Sequence, residues 1–156
     1  PNYQIMNKIL ILLFFFISSC GYQPLYKTSN EINYFKIQKI EFIGDIEASK
    51  KVFANLPIII IKSDKTLNKM NIQSNKNTVE ASKNSKGQAT SYRTTLTVKF
   101  QIMNNDDELI NEKILKKEFS YSADENKFKF KEYQTKIEEN LIKGIAEDII
   151  FYLNYS

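Results

Sequence analysis

From Tyr92 to Met103 the sequence alternates without a slip: Tyr92, Thr94, Leu96, Val98, Phe100 and Ile102 fall on one side, and Arg93, Thr95, Thr97, Lys99 and Gln101 on the other. Successive side chains of an extended chain point to opposite faces, so this period of two predicts a strand with one dry and one wet face. Such a strand must lie in a sheet, and its dry face must be covered by a second layer. The rest of the chain is constrained by what can supply that sheet and that cover.

The partner strand follows at once. Asn104, Asn105, Asp106 and Asp107 are turn formers, and Leu109 to Ser122 returns with Leu115, Phe119 and Tyr121 at spacings of four and two. Ser122 and Glu125 then stand at capping-box spacing ahead of an amphipathic stretch. Phe130, Tyr133, Ile137, Leu141, Ile145 and Ile149 recur there at spacings of three and four, which predicts a long helix reaching Leu153 with one apolar stripe.

Upstream, Phe35 and Ile37, then Ile40 and Phe42, are each spaced by two, so Tyr34 to Ile43 predicts a strand with a bulge at the slip. Gly44 ends it, Asp45 is placed to cap a short helix, and Ala48, Val52, Phe53 and Leu56 share one helical face before Pro57 stops it. Ile58 to Ile61 is too short a run for periodicity to decide between strand and helix. Asn71 to Ser82 is polar around Ile72 and Val79 and predicts an edge strand, and Lys83 to Gly87 a turn. The sum is an α+β two-layer sandwich: about four mostly antiparallel strands with two helices packed on one face, within a single domain spanning residues 34–156.

Composition enters by what it excludes. The 156 residues contain no histidine and one cysteine, which rules out a Cys/His zinc cluster, a Ser/His/Asp triad, a Cys/His dyad and an internal disulfide. Asp106 and Asp107 with Glu108 are acids a hydrolase could draw on, but they sit in a turn where solvation explains them, with no nucleophile or metal-ligand spacing beside them. No enzyme, metal or cofactor is therefore expected. The net charge of +4 is too diffuse to identify a partner. Arg93 is the single arginine of a lysine-biased chain, and with Lys99 it lies on the wet face of the best strand. A planar guanidinium fits phosphate, so Arg93 and Lys99 are the candidate anion contacts, against the plainer reading that they solvate the sheet.

The N-terminus carries a different message. Lys8 precedes the apolar run Ile9 to Ile17, too short to span a bilayer and of the length of a secretory signal core. Met6 is the expected start, with Met6, Asn7 and Lys8 as a short basic stretch ahead of the run. The run ends Ile17-Ser18-Ser19-Cys20, which looks like the bacterial lipobox: an aliphatic residue, two small ones, and the cysteine that takes the lipid and becomes the mature N-terminus. Residues 1–19 then form a lipoprotein signal peptide and 20–33 a lipidated tether. Gly21 rather than aspartate after the cysteine suggests passage to the outer membrane.

The Cys20-Gly21-Tyr22-Gln23-Pro24-Leu25-Tyr26 opening, the early strand and helix, the Tyr92-Arg93-Thr94-Thr95-Leu96 strand, the hairpin and the long last helix together resemble the lipopolysaccharide-assembly lipoprotein family, LptE, in its alphaproteobacterial branch. The resemblance implies a small sheet with two helices on one side. It further implies an outer-membrane lipoprotein that plugs a large β-barrel partner of the LptD kind and helps insert lipopolysaccharide into the outer leaflet, touching its anionic groups. An exported domain of this kind would meet no nucleic acid. The competing expectation is a generic envelope adaptor or scaffold, such as an accessory subunit of the barrel-assembly machinery. Pro57 and the Ile58 to Ile61 run interrupt the region where the family often has a longer first helix.

Overall fold

The computed structural model describes residues 34–155, all within the second of the two units into which the chain divides after Ile32. The expected signal peptide, the lipidation site Cys20 and the tether lie outside the described residues.

Two short strands open the domain, β1 (Phe35–Ile37) and β2 (Lys39–Gly44). They are followed by α1 (Ile46–Ala54) and β3 (Ile58–Ile60). Three long strands come next, β4 (Lys69–Lys83), β5 (Ala89–Met103) and β6 (Leu109–Ser122), and α2 (Lys127–Tyr155) closes the chain. The main sheet has the order β2-β4-β5-β6; β2 runs parallel to β4, and the other neighbours are antiparallel. β1 and β3 pair in parallel as a separate two-stranded sheet, so the undecided isoleucine run is a strand.

The alternation read from β5 is realised. Leu96, Val98 and Phe100 are at most 1% exposed, whereas Thr95, Thr97, Lys99 and Gln101 keep partial contact with solvent. Both helices cover the same face. Val52 and Ala48 of α1, and Ile137, Leu141, Ile145 and Ile149 of α2, join Met70, Ile72, Leu96, Val98 and Phe100 in one core. At one end of it Tyr92, Tyr121 and Phe130 pack ring to ring, with centroids 5.2 to 6.0 Å apart. Thr78, Thr94, Tyr121 and Gln134 form a hydroxyl and amide chain there, with contacts of 2.8, 3.1 and 3.0 Å.

Gly44 and Asp45 act as expected. The glycine sits at φ +74°, and the Asp45 carboxylate accepts from the Ala48 amide at 3.0 Å, satisfying a donor that the first helical turn leaves open. The helix ends at Ala54 with Asn55 as its C-cap, two residues before Pro57.

Three local expectations are corrected. The slip in the first strand is not a bulge but a break at Gln38, whose amide bonds to the Asn68 carbonyl and divides β1 from β2 between two sheets. The segment expected at the sheet edge is interior over its first half: Lys69 to Ser74 pair with β2 on one side and β5 on the other. From Asn75 onward, past the end of β2, that side of β4 has no partner strand among the described residues, which is why the polar pattern suggested an edge. The last helix starts one turn later than the Ser122 and Glu125 spacing implied. Asn126 caps it, its side-chain oxygen accepting from the amides of Phe128 and Lys129 at 3.1 Å each, while Ser122 is still in β6. The helix also runs past Leu153 to Tyr155.

Candidate functional site: the open sheet face

With both helices on one side, the opposite face of the four-stranded sheet is left uncovered among the described residues from the Gln73 row onward, while Asn71 at its other end is buried against Met103. Strand register assigns its side chains in rows across β4, β5 and β6. These are Gln73, Lys99 and Ile114; Asn75, Thr97 and Lys116; Asn77, Thr95 and Glu118; and Val79, Arg93 and Ser120. These three strands make the face polar apart from Val79 and Ile114, and β2 adds the exposed Ile43 beside Gln73.

Arg93 is exposed, and its Nε donates to Ser120 Oγ across the strand pair at 3.2 Å. No carboxylate among the described residues forms an ion pair with it. Lys99 is placed differently. Its ammonium lies 2.9 Å from Glu112 Oε2, which also accepts from Gln101 Nε2 at 2.7 Å. Those two hydrogen bonds, the one from Lys99 foremost, hold the Glu112 carboxyl below the ordinary glutamate range. The two candidate cations are six residues apart on one strand, a separation of about 20 Å. The structure thus puts Arg93 and Lys99 on one face but not in one cluster. Glu112 and Ser120 are partners that strand periodicity could not supply, because they become visible only once the hairpin register, with its irregularity between Ile102 and Met103, is known.

The other acids on or beside this face are also engaged. Glu118 meets Lys116 at 3.2 Å, Glu41 meets Lys39 at 2.6 Å, and Asp107 meets Lys69 at 2.7 Å. Asp107 and Glu108 belong to the β5–β6 turn, where Asn104 organises the loop: its side-chain oxygen accepts from the amides of Asp106 and Glu108, and its amide donates to the Glu108 carboxylate. The acidic cluster is therefore a braced turn. Among the described residues no group of His, Cys, Asp and Glu side chains is placed to hold a metal ion, and no helix is long and apolar enough to cross a membrane.

These features define a small two-layer α+β domain that offers an uncovered, hydrogen-bonding sheet face. The sequence from 46 to 153 matches the model of the LptE lipopolysaccharide-assembly family, and the chain belongs to that family. It is thereby a lipopolysaccharide-assembly lipoprotein of the outer membrane. Solved structures agree on the fold. Rare lipoprotein B from Shewanella oneidensis superposes with a TM-score of 0.58 at 11% identity, covering 74% of this chain and 93% of that one. A minor lipoprotein from Acinetobacter baumannii gives 0.58 at 17% identity, covering 75% and 88%. Lipoprotein B from Nitrosomonas europaea gives 0.53 at 9%, covering 80% and 87%. No curated protein matches the sequence significantly.

Proposed function

We propose that the chain is the lipid-anchored subunit of a lipopolysaccharide translocon, that it plugs an outer-membrane β-barrel partner of the LptD kind, and that it helps pass lipopolysaccharide into the outer leaflet. Membership of the lipopolysaccharide-assembly family carries this reading. A plug in a wet lumen needs a compact body with a polar surface, and the glycolipid's phosphates call for a fixed cation. Cys20 is the proposed lipid attachment point. Arg93 is the proposed phosphate contact, since its guanidinium forms no ion pair among the described residues and is steadied by a bond to Ser120. Lys99 would bind an anion only in competition with Glu112 and is the weaker of the two.

The test is a pull-down of the full lipoprotein from detergent-solubilised outer membranes. A large β-barrel and lipopolysaccharide are expected to come with it. Arg93→Ala should weaken lipopolysaccharide binding by about 1–3 kcal/mol, Arg93→Lys should restore part of it, and added salt should weaken it. The melting temperature should hardly change, because the side chain is exposed and its partner among the described residues is the surface hydroxyl of Ser120. Recovery of barrel-assembly components or peptidoglycan alone, with no lipopolysaccharide and no effect of Arg93, would favour the adaptor reading instead.

A further inference from the structure

The middle of the open face is a strip of polar side chains. Thr95 and Thr97, both short, lie on β5. Gln73, Asn75 and Asn77 flank them on β4, and Lys116 and Glu118 on β6. Among the described residues no group hydrogen-bonds to the side chains of Gln73, Asn75, Asn77, Thr95 or Thr97, although each carries a donor and an acceptor. The charges bordering this strip are mostly cancelled within the protein: Lys116 by Glu118 at 3.2 Å, and Lys99 by Glu112 at 2.9 Å. What remains is a neutral grid of amides and hydroxyls, with the cation Arg93 at one end and a neutralised ion pair at the other.

That distribution selects its ligand. A polyanion would find a favourable charge only at Arg93. An apolar chain would strand the amides and hydroxyls without partners, which is costly. A second protein strand would need a free backbone edge rather than a face. An uncharged polyhydroxyl chain bearing one anionic substituent matches the face along its length. The strands are about 4.8 Å apart and same-face residues about 6.6 Å apart, a pitch on the scale of a sugar ring. We infer that the strip around Thr95 and Thr97 binds the saccharide portion of the glycolipid, oriented with its nearest anionic group at Arg93. The inference rests on the lipopolysaccharide reading above and adds the part of the molecule that is held, the residues that hold it and the direction in which it lies.

The experiment uses the full lipoprotein in detergent with three probes: intact lipopolysaccharide, the fully deacylated phosphorylated oligosaccharide made from it, and inorganic phosphate. Thr95→Val/Thr97→Val removes both hydroxyls while keeping shape and β-branching. It is expected to weaken oligosaccharide binding at least 5-fold, in high salt as in low, and to leave phosphate binding unchanged. Arg93→Ala should reduce phosphate binding and add a salt-sensitive loss for the oligosaccharide. Unchanged oligosaccharide affinity in the double valine variant would overturn the inference. So would binding of intact lipopolysaccharide without any binding of the deacylated form, or efficient crosslinking of Thr97→Cys to the barrel wall; either would leave the proposed function standing. Failure of all three probes on the unaltered protein would remove both readings together.

Discussion

Two glycines separate backbone strain from steric exclusion. Gly44 and Gly87 both adopt positive φ, +74° and +77°. A Cβ on Gly44 would fall 2.3 Å from the carbonyl oxygen of Ser74, whereas one on Gly87 would meet nothing. Gly87→Ala should therefore cost only the left-handed backbone penalty, about 1 kcal/mol, and Gly44→Ala about 3 kcal/mol or more, since β2 must part from β4 to admit the methyl. Urea denaturation of the two variants checks this, and equal losses would show that the β2–β4 contact gives way easily. The sequence marked both glycines as breaks in a pattern. The carbonyl facing Gly44 belongs to a residue thirty positions away, so only the register separates the two cases. Arg93 was legible for a similar reason, as the sole arginine on a polar strand face. The partners of Arg93 and Lys99 were not, because each lies across a strand pair.

At the scale of elements, β5 makes the sharpest prediction. Leu96→Lys and Val98→Lys each place an ammonium among core side chains at positions 1% and 0% exposed, and each should cost more than about 4 kcal/mol or prevent folding. Thr95→Lys and Thr97→Lys should change stability by less than about 1 kcal/mol, because their side chains point from the uncovered face. Thermal melts of the four variants read the outcome, and equal losses in both pairs would mean that the open face is covered in solution. Long periodic elements were legible because burial imposes its period on many residues at once. Hence β5, β6 and the stripe of α2 were found within a few residues. Short elements were less so. β1 and β3 have three residues each and are strands because they pair with one another, a fact about distance in space that no local window contains. The cap of α2 was misplaced because Ser122 and Asn126 are both good capping residues, and β6 holds Ser122 in its ladder opposite Ser91.

In the whole molecule, Glu138 joins elements that the chain keeps far apart. From α2 it reaches Lys51 of α1 at 3.3 Å and Lys76 of β4 at 2.7 Å, with its own side chain only 19% exposed. Glu138→Ala leaves two ammonium groups close together without their shared acid and should cost about 1–2 kcal/mol. Glu132→Ala, which breaks the exposed pair with Lys136 within the same helix, should cost less than about 0.5 kcal/mol. A double-mutant cycle of Glu138 with Lys76 checks the coupling. At the same scale, Cys20→Ser should shift the protein from membrane to soluble or uncleaved precursor fractions, because a lipid anchor holds stably only through more than one chain. Mass spectrometry finding an unmodified Cys20 at the mature N-terminus would refute the lipidation. The sequence by itself determined the two faces of the hairpin, the stripe of the last helix, the turn that starts α1 and the family resemblance, since each is written in the periodicity or chemistry of neighbouring residues. Tertiary structure alone decided that β4 lies inside the sheet over its first half, that β1 and β2 part into two sheets, that Glu112 occupies Lys99, and that no described element covers Thr95 and Thr97. Those outcomes depend on which distant segments meet, and a hydrogen bond or an ion pair between strands leaves no spacing in the chain that could announce it.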